Sequence, residues 1–209
     1  MHDAAILLSS TLDGILAYAA ANRLEALGAV AGLACVGLLI RQSMWNWPLG
    51  IAYSGISVYL FAQAPLYGQV VLNSYFLLMN LYGWMVWLRH GKDGEAPLQV
   101  SRTSSRTLAI VLGLAALGVL LLGTLFNQFT ASRFPLADVG ITLLSTAAMW
   151  LQARKKLESW VFWFVVNLAS VGLFVATENY FYVLLYAIYV PMAVEGHISW
   201  RRSMESAAT

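Results

Sequence analysis

Long apolar runs dominate this sequence and restrict its fold more than any other feature. Of the 209 residues, 60% are hydrophobic and only 11% are charged, whereas a soluble domain has about 25% charged residues. A backbone in lipid must satisfy its own hydrogen bonds, so it forms helices or a closed barrel. The runs exceed the roughly 10 residues of a barrel strand and do not alternate. The sequence therefore predicts an all-α integral membrane protein that is embedded in a lipid bilayer.

Eight apolar stretches can be marked along the chain. They cover residues 4–20, 24–40, 47–62, 66–88, 107–127, 136–152, 158–176 and 180–200. The first contains Asp13, which leaves open whether it crosses the membrane or lies on its surface. Residues 91–106 contain Gly, Ser, Pro and charges and predict a flexible loop. Because no separate soluble domain is apparent, we expect residues 1–209 to form a single membrane domain.

The distribution of Lys and Arg predicts the orientation of the chain. These residues concentrate in three segments: the connection after residue 88, the connection after residue 152, and the tail after residue 200. If each stretch crosses once, the three segments lie on the same side, which the positive-inside rule assigns to the cytoplasm. The C-terminus is therefore predicted to be cytoplasmic, with Arg23 as the one discordant charge. The net charge of +2 is too small to indicate nucleic acid binding.

An internal repeat organises the sequence. When the chain is shifted by 113 residues, 12 of the 47 residues from 41 to 87 are identical to those from 154 to 200. Apolar bias does not produce the Trp, Tyr, Gly and Arg matches, which are Arg41 with Arg154, Trp47 with Trp160, Tyr67 with Tyr180, Gly83 with Gly196, and Trp87 with Trp200. The matched stretches cross in the same direction. The pattern predicts two parallel three-helix repeats, residues 24–88 and 136–200, joined by a linker helix at 107–127. Small transporters with parallel repeats bind substrate near the midplane, at the interface of the repeats.

Polar side chains recur on one face of several predicted helices. A polar side chain in hydrocarbon is costly unless it has a partner or faces a cavity, so these faces predict a cavity lined by amides, hydroxyls and aromatic rings. Amides suit a carboxamide or sugar hydroxyls, and Trp and Tyr suit a flat, cationic ring. As ligand-binding amides we select Gln69, Asn73, Asn80, Gln152 and Asn167. Trp84 shares the stripe of Asn73 and Asn80, and for ring stacking we select Trp160, Trp163, Tyr186 and Tyr189.

Other interpretations of these residues remain open. Asn and Ser in membrane helices often only bond neighbouring helices, and Trp45, Trp87 and Trp200 at the ends of stretches are expected to be interface anchors. No Asp, Glu, Lys or Arg lies deep in the predicted bundle, which disfavours a proton-coupled carrier. The three histidines have no metal-ligand spacing, and no catalytic motif occurs. These features predict a protein that is not an enzyme and needs no metal or cofactor.

Four motifs carry a family resemblance. They are Asn46-Trp47-Pro48-Leu49-Gly50, the run from Leu66-Tyr67-Gly68 through Tyr82-Gly83-Trp84 to Trp87, Gln152-Ala153-Arg154-Lys155-Lys156, and the set Trp160, Trp163 and Asn167. In this order and spacing they resemble the PnuC family of bacterial vitamin transporters. The resemblance covers about residues 24–200, and the N-terminal stretch is its least characteristic part.

The resemblance implies a seven-helix 3+1+3 bundle similar to that of the SWEET sugar carriers, with one extra N-terminal helix. It implies uptake of nicotinamide riboside by facilitated diffusion across the bacterial inner membrane, with a cytoplasmic kinase that phosphorylates and so traps the substrate. Relatives with similar sequences carry thiamine or riboflavin, which remain alternative substrates. A membrane enzyme or an assembly subunit without transport is the alternative from another class. Family members are often multimeric, and the sequence leaves homo-oligomerisation open.

Overall fold

Long helices make up nearly all of the described chain. The computed structural model describes residues 13–63, 67–89, 98–129 and 133–207, without the side chains of residues 67–69 and 125–129. After a short helical segment at residues 13–21, the helices are α1 (Arg23–Ile40), α2 (Asn46–Gln63), α3 (Tyr67–Arg89), α4 (Ser105–Phe129), α5 (Pro135–Ala153), α6 (Ser159–Ala176) and α7 (Tyr180–Ser206). Their bounds agree with the predicted stretches to within two residues, except that α7 continues to residue 206. Of the first predicted stretch, the part before residue 13 lies outside the described residues.

The surface of the bundle is suited to lipid. Six of these helices are long and apolar enough to cross a membrane, and α2 is the exception. The hydropathy of α2 is lower because it carries Asn46, Ser54 and Ser57, all of which are buried inside the bundle. On the outside, Leu78 of α3 and Leu120 of α4 are 64% and 65% exposed. Such extensive apolar surface is stable only in lipid, so the chain is a multi-pass membrane protein.

Six helices pack in a closed ring. Helix α1 contacts α2 and α7, α3 contacts α2 and α5, and α6 contacts α5 and α7. Among the helices given above, α4 contacts only α5 and so lies outside the ring. If α1, α2 and α3 are exchanged with α5, α6 and α7, this pattern of contacts is unchanged. The helix contacts therefore have an approximate twofold symmetry.

The turns that follow α1 and α5 have the same backbone structure. Gln42 and Lys155, which are 113 residues apart, both adopt a left-handed conformation, with φ of 53° and 49°. Their N–H groups donate to the carbonyl oxygens of Leu39 and Gln152 at 2.8 and 3.0 Å. The N–H group of the following residue in each turn donates to the carbonyl oxygen of Leu38 or Leu151, in both cases at 2.9 Å. A left-handed conformation costs a non-glycine residue roughly 1–2 kcal/mol, so the packing around both turns must hold them.

Four tryptophans fill the interior at the end of the bundle where these turns lie. They are Trp47, Trp87, Trp160 and Trp200, which are 0%, 4%, 2% and 0% exposed. The rings of Trp47 and Trp87 meet edge to face with centroids 5.2 Å apart, and those of Trp160 and Trp200 do so at 5.4 Å. Trp87 and Trp200 join the two pairs at 6.3 Å. We call these four residues the Trp cluster, and the end of the bundle that they occupy the Trp end.

The prediction that Trp87 and Trp200 anchor the chain at the membrane interface is wrong. Both indole N–H groups are satisfied in the interior, because Trp87 donates to the carbonyl of Ala153 and Trp200 to that of Leu39, each at 3.1 Å. Edge-to-face aromatic pairs add about 0.5–1.5 kcal/mol to the burial of each ring, which favours the cluster over the interface. Trp45, which is 72% exposed, keeps a position suited to an anchor.

Residues 98–104 form an ordered strap, contrary to the flexible loop predicted for 91–106. The N–H of Ser101 donates to the carbonyl of Lys155 at 3.1 Å, and the carbonyl of Ser101 accepts from the N–H of Leu157 at 3.0 Å. Val100 is 5% exposed and packs in the same hydrophobic core as the Trp cluster. The strap is therefore fastened to the turn between α5 and α6, whereas residues 90–97 lie outside the described part of the chain.

Candidate functional site

Four of the five selected amides are buried in the bundle. They are Asn73, Asn80, Gln152 and Asn167, with exposed fractions of 8%, 7%, 7% and 6%. On α3, the apolar Val71 faces outward with 71% exposure, so polar residues lie inside and apolar residues outside. The side chain of Gln69 lies outside the described residues, and its selection stays a prediction.

Gln152 and Trp163 form one unit between α5 and α6. The indole N–H of Trp163 donates to Oε1 of Gln152 at 2.7 Å. Nε2 of Gln152 lies 4.0 Å from the sulfur of Met149, which is only a weak acceptor. The unit can therefore offer amide N–H donors next to an indole ring. The residues 113 positions earlier are Leu39 and Gly50, which cannot form such a pair.

Asn80 occupies the close approach between α2 and α3. Its Nδ2 donates to the carbonyl of Phe76 at 2.9 Å, and the amide lies directly against Gly50. A Cβ at position 50 would overlap the amide, so only glycine allows this approach. The residues 113 positions later are Trp163 and Ala193. The two halves thus share a backbone plan but differ in where the large polar side chain lies. It is Asn80 on α3 in the first half and Trp163 on α6, the counterpart of α2, in the second.

Trp160 and Trp84 lie toward the Trp end. Trp160 packs against Gly196 and Trp200, and its exposed fraction of 2% leaves little ring surface for a ligand in this conformation. Its indole nitrogen has no hydrogen-bond partner in the described structure and is a donor that a ligand could use. Trp84 is partly buried against the same hydrophobic core. The stacking role of both residues stays a prediction.

Tyr186 and Tyr189 lie on the side of the ring where α7 meets α1. Tyr186 stacks on Phe174 with ring centroids 5.4 Å apart and contacts Tyr189 edge to face at 5.9 Å. The hydroxyl of Tyr189 touches Gly32 of α1. At 1.5 Å per residue, these tyrosines lie roughly 9–14 Å from the start of α7. Asn167 lies about 12 Å from the start of α6, near the middle of that helix.

The predicted site residues thus include two separate groups at different levels of the bundle. The Gln152–Trp163 unit lies near the Trp end, and Tyr186 with Tyr189 lies toward the opposite end. Two surface clefts, of about 580 and 400 Å³, are lined by residues of the N-terminal segment with residues 177–181, and by residues near 133–137. Neither cleft is lined by a selected residue, so the predicted site does not coincide with either of them.

Lys155 is an interior contact that the sequence did not indicate. It is 8% exposed, and its Nζ donates to Oε1 of Gln42 at 3.1 Å and lies 4.2 Å from the centre of the Trp87 ring. Burial lowers the pKa of the Lys155 ammonium group. Gln42 and Lys155 are 113 residues apart, so the contact joins equivalent positions of the two halves. The repeat is the signal that could have found it, because equivalent residues can meet at a twofold axis.

Comparison with known proteins decides the family. The model of the family described as "Nicotinamide mononucleotide transporter" matches residues 22–202. The chain belongs to this family. The match includes every selected residue and all but the end of α7, and it confirms the resemblance to the PnuC family. Because this family and the relatives below are transporters, the chain is a transporter and not an enzyme.

Individual relatives agree with this assignment. The nicotinamide riboside transporter PnuC of Escherichia coli is 27% identical, over 86% of this chain and 85% of the relative. The riboflavin/roseoflavin transporter RibM of Streptomyces davaonensis is also 27% identical, over 84% and 83%. A crystal structure of the vitamin B3 transporter PnuC covers 99% of this chain and 93% of its own, with a TM-score of 0.70 and 21% identity. That likeness shows a shared fold.

Proposed function

We propose that this transporter carries nicotinamide riboside across the bacterial inner membrane by facilitated diffusion. The observation that carries the proposal is the presence of buried, uncharged amides beside aromatic rings, above all the Gln152–Trp163 unit and Asn167. Amides can pair with the carboxamide and the ribose hydroxyls. The pyridinium ring would gain about 0.5–2 kcal/mol from contact with an indole face. The Escherichia coli relative, a nicotinamide riboside transporter, supports this choice of substrate.

The absence of charge along the middle of the helices supports transport without a coupling ion. Helices α2 and α6 contain no Asp, Glu, Lys or Arg, and Asp138 of α5 lies in its first turn. Carriers that use proton or sodium gradients usually hold titratable or anionic groups in the membrane. Downhill transport alone cannot concentrate the substrate. We therefore infer that a cytoplasmic kinase phosphorylates it and keeps the inward gradient.

The proposed architecture is a 3+1+3 bundle with parallel repeats. The first triplet would be α1 to α3, the second α5 to α7, and α4 the linker that restores direction. Three observations support it: the exchange symmetry of the helix contacts, the identical turns at Gln42 and Lys155, and the matching pairs Trp47–Trp87 and Trp160–Trp200. A substrate site between the triplets, near the midplane, follows from this plan.

The proposed orientation places the Trp end in the cytoplasm. Arg154, Lys155 and Lys156 lie in the turn at this end, and Arg201 and Arg202 lie near the end of α7. Positive residues in short connections favour the cytoplasmic side. The Trp cluster, together with the strap, would then close the inner end of the pathway. Substrate release would require the two triplets to separate there.

Binding titrations on the purified protein test the proposal. We expect saturable binding of nicotinamide riboside and a fall in affinity of roughly 5- to 150-fold in Asn167→Leu, because loss of a buried hydrogen-bond partner costs about 1–3 kcal/mol. The matched control is Leu168→Ala, the next residue on α6, which is 54% exposed to lipid and should bind as the wild type does. Equal affinity of Asn167→Leu and the wild type would show that the site lies elsewhere.

Riboflavin is the second candidate, because RibM is 27% identical to this chain, as the Escherichia coli relative is, although over 180 residues instead of 204. Thiamine is a third ligand to include, since it is also flat, cationic and hydroxylated. The same titration with all three vitamins ranks them. Tighter binding of riboflavin or thiamine than of nicotinamide riboside would replace the proposed substrate and leave the transporter assignment intact.

A further inference from the structure

Glu25 holds two tyrosine hydroxyls at the end of the bundle opposite the Trp cluster. The hydroxyl of Tyr18 donates to Oε2 of Glu25 at 2.9 Å, and the hydroxyl of Tyr182 donates to the same oxygen at 2.9 Å. Glu25 remains exposed despite these bonds. Within the described ranges no hydrogen bond reaches its other oxygen, Oε1. Since a carboxylate has about four acceptor positions, this group can still receive a donor or a cation.

A ladder of aromatic rings leads from Glu25 toward the middle of the bundle. Its neighbouring rings are in contact, with Phe174 stacked between Tyr182 at 5.0 Å and Tyr186 at 5.4 Å, nearly parallel to both. From Tyr182 to Tyr189 the ladder spans seven residues of α7, or roughly 10 Å. In order from the surface, the ladder consists of Tyr18, Phe181, Tyr182, Phe174, Tyr186 and Tyr189.

We propose that Glu25 and this ladder form an outer recognition site for a flat aromatic cation, which selects the substrate by charge before it reaches the amides. The inference rests on the proposed function and assigns its substrate class. The carboxylate supplies the negative charge, the rings of Tyr18 and Phe181 line the cleft beside it, and a cationic ring benefits from both. The ladder ends at Tyr186 and Tyr189, so a ring that enters at Glu25 arrives beside the predicted site.

The charges around this entrance favour a cation. Glu178 lines the 580 Å³ cleft together with Tyr18 and Phe181, and Asp13 lies at the start of the N-terminal segment. Arg23 is two residues from Glu25, but no ion pair joins them in the described structure. Glu178 lines the cleft and Glu25 bonds Tyr18, another residue of its lining, so both carboxylates lie at this entrance, and neither attracts a neutral ring by charge.

A purely structural role for Glu25 makes a different prediction. If the carboxylate only ties Tyr18 to Tyr182, its loss should weaken all ligands equally, because it would disturb the site and not the charge. If it selects by charge, its loss should weaken only cations. At about 4 Å in water, one charge pair changes an equilibrium roughly fivefold. This effect should fade as salt rises, because exposed charges are screened.

The experiment compares nicotinamide riboside with its reduced dihydro form, which has the same carboxamide and ribose but a neutral ring. Affinities of both are measured on the purified full chain, at low and high salt, for the wild type, Glu25→Gln and Glu25→Asp. Gln keeps an acceptor for the tyrosines, and Asp keeps the charge. The control is Glu205→Gln, the same charge change on the exposed end of α7. Thermal unfolding of each variant verifies the fold.

We expect Glu25→Gln to bind the cation about fivefold more weakly at low salt, with less than a twofold change for the neutral form. Glu25→Asp should recover part of the loss, and Glu205→Gln should bind as the wild type does. Equal loss for both forms, or no loss for the cation, overturns the inference alone. Binding of neither form by the wild type contradicts the proposed substrate, and the inference falls with it. If Glu25→Gln does not fold, salt must still weaken wild-type binding of the cation more than of the neutral form.

Discussion

The Trp cluster should not tolerate a methyl group at Gly196. The six-membered ring of Trp160 lies against this glycine, and an added Cβ would overlap it. Trp160 is 2% exposed, and the neighbouring Trp200 is 0% exposed. Because neither ring has free space beside it, the Gly196→Ala variant must shift the indole or separate α6 from α7.

The expected cost follows from this overlap. Extra carbon atoms in a well-packed interior cost about 1–3 kcal/mol, whereas alanine in an open helical position is favoured over glycine by roughly 0.8–1 kcal/mol. One kcal/mol corresponds to about 2–4 °C in Tm for a chain of this length. The cost less this gain leaves a net loss of up to about 2 kcal/mol, so we predict that Gly196→Ala lowers Tm by up to roughly 9 °C.

Thermal unfolding of the purified protein in detergent measures this effect. The matched control is Gly172→Ala on α6, where nothing lies within 4 Å of the added Cβ and Tm should not fall. Gly83→Ala tests the repeat, because Gly83 receives Trp47 as Gly196 receives Trp160, and its Tm should fall by a similar amount. Unchanged Tm in both cluster variants, or an equal fall in Gly172→Ala, would show that contact with the indole rings does not restrict these glycines.

Three further predictions concern the Trp end. Burial lowers the pKa of Lys155 below its ordinary value of 10.5, so between these two pKa values unfolding takes up protons and stability rises with pH. The Tm of the wild type should therefore rise relative to that of Lys155→Met from about pH 8 to about pH 10, and an equal dependence of both Tm values on pH would contradict this. Trp163→Phe keeps a ring but loses the donor to Gln152, so titration should give a several-fold weaker affinity for nicotinamide riboside, and an unchanged affinity would argue against the unit. Val100→Ala should lower Tm by several degrees, because it removes two buried carbon groups worth about 0.8 kcal/mol each, and the cavity left behind adds to this cost. Val71→Ala, on the lipid-facing side of α3, should leave Tm unchanged.

The sequence predicted the helices well because a membrane imposes a length. Each helix from α1 to α6 ends within two residues of its apolar stretch, since polar groups cannot remain in hydrocarbon without partners. The sequence also predicted that Asn73 and Asn167 point inward, because the polar residues of each of these helices recur on a single face of the helix. The repeat predicted that Trp47 and Trp160 occupy matching environments.

Contacts between distant segments could not be predicted in the same way. Trp87 at a helix end has the features of an interface anchor, and only packing of both halves reveals its bond to Ala153. The strap contains Val100 among polar residues, a signal too short to separate a docked segment from a loop. Glu25 lies near Arg23 in sequence, which suggests a local pair, yet its partners come from the N-terminal segment and α7.

A transport assay shows whether a neutral, amide-lined interior carries the substrate without a coupling ion. Proteoliposomes loaded with unlabelled nicotinamide riboside, with equal pH and sodium on both sides, are diluted into labelled substrate, and the label inside is counted over time. We predict rapid counterflow by the wild type and slow counterflow by Asn167→Leu. Absence of counterflow by folded protein, or counterflow that requires a proton or sodium gradient, would show that the chain does not carry nicotinamide riboside by facilitated diffusion.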